Sequence, residues 1–179
     1  VLKKRKHDEI EAPPEPQTSN SLPDVELTPQ REFIQLTPTS LRKLLLALQK
    51  HIAKNIEDRM RYSDQPEKFM DSEVDVDEDI RQLQVLATAP ELYPDFVRLH
   101  GAEAVLSLLT HENTDILVDV VELLSELTEP DVIAESEGKA MVLFDTLMEN
   151  NIMDSLLGVM SKLDETQEEE AKGIHNCLA

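Results

Sequence analysis

From Leu41 to Met60 the apolar residues fall at steps of three and four: Leu41, Leu44, Leu45, Leu48, Ile52, Ile56 and Met60. That period gathers them on one side of a helix, so the spacing predicts an amphipathic helix with a stripe to bury. Thr37-Pro38 opens it, because a threonine hydroxyl accepts from an orphan backbone N–H and a proline at the first helical position gives up no hydrogen bond. The other face carries Arg42, Lys43, Lys50 and Lys54 and suits an acidic partner or an acidic neighbour within the fold. After a break at Asp64-Gln65-Pro66, the acidic run Ser72 to Asp79 predicts a second helix, since carboxylates favour a helix N-terminus. Ile80, Leu83 and Ala87 would form its buried face, and Pro90 stops it. A short helix through Leu92, Phe96 and Leu99 should end at Gly101, read as a left-handed terminator. Further helices are expected over about 102–110, 115–128, 140–148 and 152–163, and from Glu165 onward. The connections are short, which makes consecutive helices neighbours.

Two of these stretches repeat. Gly101-Ala-Glu-Ala-Val-Leu-Ser-Leu-Leu109, followed by Ile116 and Val120 to Thr128, returns as Asn151-Ile-Met-Asp-Ser-Leu-Leu157 followed by Ala171, Ile174 and Leu178. Each resembles the second and third helices of an armadillo repeat, although the spacing of roughly 50 residues exceeds the usual period of about 40 to 47. An insertion around 131–137 absorbs the excess. One such unit cannot hide its apolar face alone, so the units must stack. The fold expected is therefore all-α, an armadillo/HEAT-like right-handed superhelix of stacked helices with N-terminal capping helices. Residues 1–37 form a flexible, charged, proline-rich leader, 38–100 a helical cap, and 101–179 armadillo-like repeats. No stop signal precedes Ala179, so the array is expected to be cut short there, leaving an apolar face that favours self-association.

Composition agrees with helices: 4 glycines and 3% aromatics in 179 residues suit Leu-rich helices better than strands. The net charge of −20 argues against direct contact with nucleic acid, whose phosphates call for clustered Lys and Arg. From Gly101 onward only Lys139, Lys162 and Lys172 oppose 18 carboxylates, so the acidic field belongs to the C-terminal half. No apolar run reaches the roughly 18 residues that predict a membrane span, and the single Cys177 supports no disulfide framework. The leader holds Lys3-Lys4-Arg5-Lys6, a compact basic run of the kind nuclear-import receptors take, with a chance solvated cluster as the plainer reading.

In the helix over 115–128, Ile116, Val120, Leu123, Leu124 and Leu127 point inward and leave Asp115, Asp119, Glu122 and Glu126 along one outer face. This stripe is the candidate partner-binding site, with a merely solvated face as its alternative. No catalytic residue, cofactor site or metal site is expected. His111-Glu112 begins like a zinc-protease motif, but Asp115 stands where the second histidine belongs, and Asn113-Thr114 reads better as a helix cap. Asp71, Glu73, Asp75, Asp77 and Asp79 alternate like calcium ligands, yet Val76 replaces the needed glycine. There is no phosphate loop or nucleophile elbow, and Cys177 reads as a small hydrophobe.

Pro66-Glu-Lys-Phe-Met-Asp-Ser-Glu73, Ala87-Thr-Ala-Pro-Glu-Leu-Tyr93, Asn113-Thr-Asp115, Glu122-Leu-Leu-Ser-Glu-Leu-Thr128 and His175-Asn-Cys-Leu-Ala179 together resemble the family of beta-catenin-like proteins, in order and spacing. The resemblance covers residues from about Gln65 to Ala179 and implies a nuclear, armadillo-like protein associated with the spliceosome. It also implies partners: a complex containing the cell-division-cycle-five-like splicing factor, and basic nuclear-localisation-type segments. Family members are longer, so an N-terminal fragment is expected. In armadillo proteins that bind import signals, the positions of Glu122 and Glu126 usually carry Trp and Asn, so that binding mode is altered here. The same positions of the second repeat hold Gly173 and Cys177, where the stripe stops. A non-catalytic scaffold of a splicing complex is the first expectation, and an armadillo transport adaptor for import-signal peptides is the alternative.

Overall fold

Thr37 caps the first helix as its sequence predicts. Its hydroxyl accepts from the Ser40 backbone N–H while the Ser40 hydroxyl receives the Thr37 N–H, a reciprocal capping box with Pro38 at the first turn. This is helix α1, Pro38–Arg61, in a computed structural model that describes residues 36–179. The leader and its Lys3 to Lys6 run lie outside the described residues. Eight more helices follow: α2 Met70–Leu83, α3 Tyr93–Arg98, α4 Gly101–Leu108, α5 Thr114–Leu127, α6 Pro130–Glu135, α7 Met141–Glu149, α8 Ile152–Met160 and α9 Glu168–Leu178. Short 3-10 turns at Pro66–Lys68, Gln84–Thr88 and Pro90–Leu92 complete the helical content, and no strand occurs among the described residues.

Four helices form the spine. α2 packs on α1 and on α5, and α5 packs in turn on α9. Being covered on both flanks, α5 buries Leu117, Val118 and Val121 as well as the inward residues its period indicates. The shorter helices lie behind this ladder, α3 against α4 and α7, and α8 against α9. The sequence repeat is thus a structural one, α3–α4–α5 recurring as α7–α8–α9. The match extends to the backbone: His100 before α4 and Asn151 before α8 both take the left-handed conformation, with φ of 60° and 55°. His and Asn are among the non-glycine residues that most readily adopt it.

That corrects the role of Gly101. His100 makes the left-handed turn, and Gly101 is the first residue of α4. Glycine is needed because a Cβ there would stand 2.3 Å from the Phe96 ring, where α3 and α4 meet. α1 brings a second correction. Leu41, Leu45 and Leu48 are fully buried, but Ile56 is 54% and Met60 80% exposed. Asn55 faces inward instead. A helix 24 residues long outruns its apolar floor, and the seam between α1 and α2 continues as hydrogen bonds. Ala87 likewise leaves the α2 face, because the chain has tightened into a 3-10 turn there. The segment read as an insertion contains α6, begun by Pro130 at its first turn, and the turn after it passes through Glu137 and Gly138 at φ of 52° and 85°.

Candidate functional site: a carboxylate groove along the helix ladder

The polar half of the α1–α2 seam is built on Asn55 and His111. The Asn113 backbone N–H donates to His111 Nδ1 over 3.0 Å, which leaves the proton on Nε2, 3.0 Å from the Asn55 side-chain oxygen. Asn55 Nδ2 then donates to Ser72 Oγ at 2.9 Å, and that hydroxyl donates to the Phe69 carbonyl at 2.7 Å. Both ring nitrogens of His111 are therefore engaged, and only the neutral ring fits. Burial, with Arg59 nearby, holds His111 below its ordinary pKa. Arg59 pairs with Glu73 and Glu112 and lies 4.8 Å over the Phe69 ring. Asn113 Nδ2 donates to Glu73 at 3.0 Å, and Asn113 caps α5 by accepting from the Asp115 N–H at 2.9 Å.

The alternating acids of α2 are spread around a helix, and Glu73, Asp75, Asp77 and Asp79 each meet a different neighbour. Asp75 binds Lys54 at 2.8 Å, Asp79 binds His51 Nδ1 at 2.6 Å, and Asp77 lies 3.3 Å from Arg81 one turn ahead. Burial raises the Asp79 carboxyl above the usual range, with His51 opposing. A helix keeps such side chains from wrapping one ion, and no cluster able to hold a metal occurs among the described residues.

The α5 stripe lies where its spacing indicates: Asp115 is exposed, while Asp119, Glu122 and Glu126 are partly covered on the open side of the ladder. Sequence reasoning treats it as one free acidic face, whereas two of its members are tied across the ladder. Arg81 on α2 donates from Nε to Asp119 at 3.1 Å, and Lys172 on α9 donates to Glu122 at 2.6 Å. Burial and the neighbouring Asp77 carboxyl push Asp119 up to about 6, with Arg81 opposing. Burial and the adjacent Glu122 raise Glu126 too. Gly173 explains how α9 comes so near: its backbone packs on Val118, and a Cβ would fall 3.0 Å from the Val118 methyl.

A groove of about 380 Å³ opens between α2 and α5 with Glu169 of α9 at its rim. Met70, Val74, Ile116 and Val118 supply apolar surface, and Glu73, Asp77, Asp115, Asp119 and Glu169 supply five carboxylates around Arg81. Sequence reasoning missed the α2 and α9 contributions, because residues on different helices become neighbours only through stacking. The groove can hold the aliphatic stem of a long basic side chain while carboxylates meet its head. A second cleft of about 720 Å³ runs among α5, α7, α8 and α9 and is mainly apolar, with Phe144, Met148, Met153 and Leu178 exposed along it. Cys177 lines it, its thiol pKa raised by burial.

A helical ladder with a charged groove and two stacked three-helix units defines an armadillo-type array, a scaffold for protein–protein contact. Comparison with known proteins agrees: the family described as "Catenin-beta-like, Arm-motif containing nuclear" matches residues 24–179. Beta-catenin-like protein 1 of Homo sapiens is 43% identical over 144 residues, 80% of this chain and 26% of the relative. The Schizosaccharomyces pombe homolog is 37% identical over 150 residues, 84% of this chain and 26% of the relative. The chain belongs to the catenin-beta-like family, whose members are described as nuclear and as containing the Arm motif. It spans about a quarter of the length of the curated relatives it matches.

Proposed function

We propose that the chain acts within a nuclear pre-mRNA splicing complex, as a scaffold whose α2–α5–α9 groove receives basic segments of partner proteins. The cell-division-cycle-five-like factor and nuclear-localisation-type segments are the partners that the family resemblance favours. The observation that carries this is the groove itself: five carboxylates surround a single arginine over an apolar floor. An extended chain bearing Lys or Arg gains charge-assisted hydrogen bonds there, and its encounter is speeded by the acidic field. Lys3 to Lys6 serve as the chain's own import signal in this scheme.

The test is titration with a synthetic peptide containing Lys-Lys-Arg-Lys. Asp115→Asn combined with Asp119→Asn should weaken binding about threefold to tenfold at low salt and less at about 0.15 M, where the screening length falls to about 8 Å. Equal affinity for wild type and variant at low salt removes the groove from the scheme.

A further inference from the structure

We propose that Arg81 is a displaceable stand-in for a partner's cation, holding Asp77 and Asp119 in the free protein and releasing them when a basic segment enters the groove. This rests on the groove being the binding site, and it adds a requirement on the partner: at least two basic side chains close together.

The contrast in exposure carries the inference. The Arg81 side chain is 63% exposed, whereas Asp77 is 25% and Asp119 16% exposed. The cation stands mostly in water and the carboxylates are mostly covered. An ion pair so exposed contributes little, so swinging Arg81 outward costs little. Leaving the two carboxylates unmet costs more, because they are adjacent, partly covered and repel each other. An apolar ligand therefore cannot displace Arg81, whereas a second cation can. Asp77 Oδ1 is also buried without a hydrogen-bond partner, an acceptor that a further N–H would satisfy.

One turn along α5 the arrangement recurs from the other side. Lys172, itself exposed, holds the half-buried Glu122 at 2.6 Å. Asp119 and Glu122 are thus two carboxylates on consecutive turns, each already meeting a cation lent by a flanking helix. A segment with one basic residue replaces one cation and gains little, while one with two neighbouring basic residues replaces both and adds its own backbone and apolar contacts.

The experiment is calorimetric titration of the intact chain with the Lys-Lys-Arg-Lys peptide, for wild type, Arg81→Gln and Arg81→Lys. Removing the internal competitor in Arg81→Gln should tighten binding about twofold to fivefold, as expected for loss of one exposed pair, and Arg81→Lys should stay near wild type. In wild-type protein labelled for NMR, the Arg81 Nε–H signal should move towards its solvent-exposed position as peptide saturates, a shift that a purely structural arginine does not show. Peptide binding with Arg81→Gln unchanged or weaker, or with the Nε–H signal fixed, overturns the inference and leaves the groove standing. No binding by any form overturns both. If Arg81→Gln does not fold by circular dichroism, the wild-type Nε–H titration decides alone.

Discussion

The two ends of α1 are made of the same helix and held by different physics. At the N-terminal end Leu41, Leu45 and Leu48 are sealed from water. Two turns later the inward positions belong to Asn55 and Arg59, hydrogen-bonded to Ser72, His111, Glu73 and Glu112, while Ile56 and Met60 point to solvent. The first end is held by area removed from water, which tolerates any apolar shape of the right size. The second is held by partners that must all be present, since a half-satisfied buried network is worse than none. Apolar periodicity therefore locates the helix correctly but overstates how far its stripe is buried.

The largest effect expected is at the dry end. Leu48→Ala should cost about 2–5 kcal/mol in chemical denaturation, the range for emptying a fully buried leucine site. Asn55→Ala, at the polar end, should cost about 1–3 kcal/mol by stranding Ser72 and the His111 Nε2–H. A loss well below that range would show the network to be dispensable and erase the contrast.

Acid acts on the polar end through His111. Folded His111 has a lowered pKa, so below about 6.5 the unfolded chain binds more protons and stability falls as pH drops from there. Asp119 opposes this: its raised folded pKa contributes stability that is full below about 3.8 and is lost as pH rises through about 6. Asp119→Asn should accordingly gain stability over wild type with rising pH, and His111→Gln should flatten the loss on acidification; denaturant midpoints from pH 4.5 to 8 read both. The smallest effect belongs to the exposed end of the stripe, where Met60→Gln should change stability by less than about 0.5 kcal/mol. A loss comparable to that of Leu48→Ala would mean that something covers Met60.

Legibility in the sequence followed the range of the interactions. The Thr37 cap, the Asn113 cap and the α5 stripe depend on residues within a few positions of one another, and all three are readable. The repeat is also readable, because α4 and α8 carry a similar apolar run. The groove was half readable. Asp115 and Asp119 announce themselves on α5, but Glu73, Asp77 and Arg81 come from α2 and Glu169 from α9, while Glu126 of the same stripe lines the apolar cleft instead. Their neighbourhood exists only once the third helices stack, and no period within a single helix encodes it. The need for glycine at 101 is hidden from the sequence for a similar reason: it is set by the Phe96 ring, a contact across a helix junction.

One measurement bears most directly on the ladder as a binding surface: mapping amide shifts in the labelled chain as the Lys-Lys-Arg-Lys peptide is added. Shifts are expected along Asp77 to Arg81, Asp115 to Glu126 and Glu169 to Lys172, fading as salt is raised. Shifts confined to the apolar cleft around Phe144 and Leu178, or to α1, would contradict it.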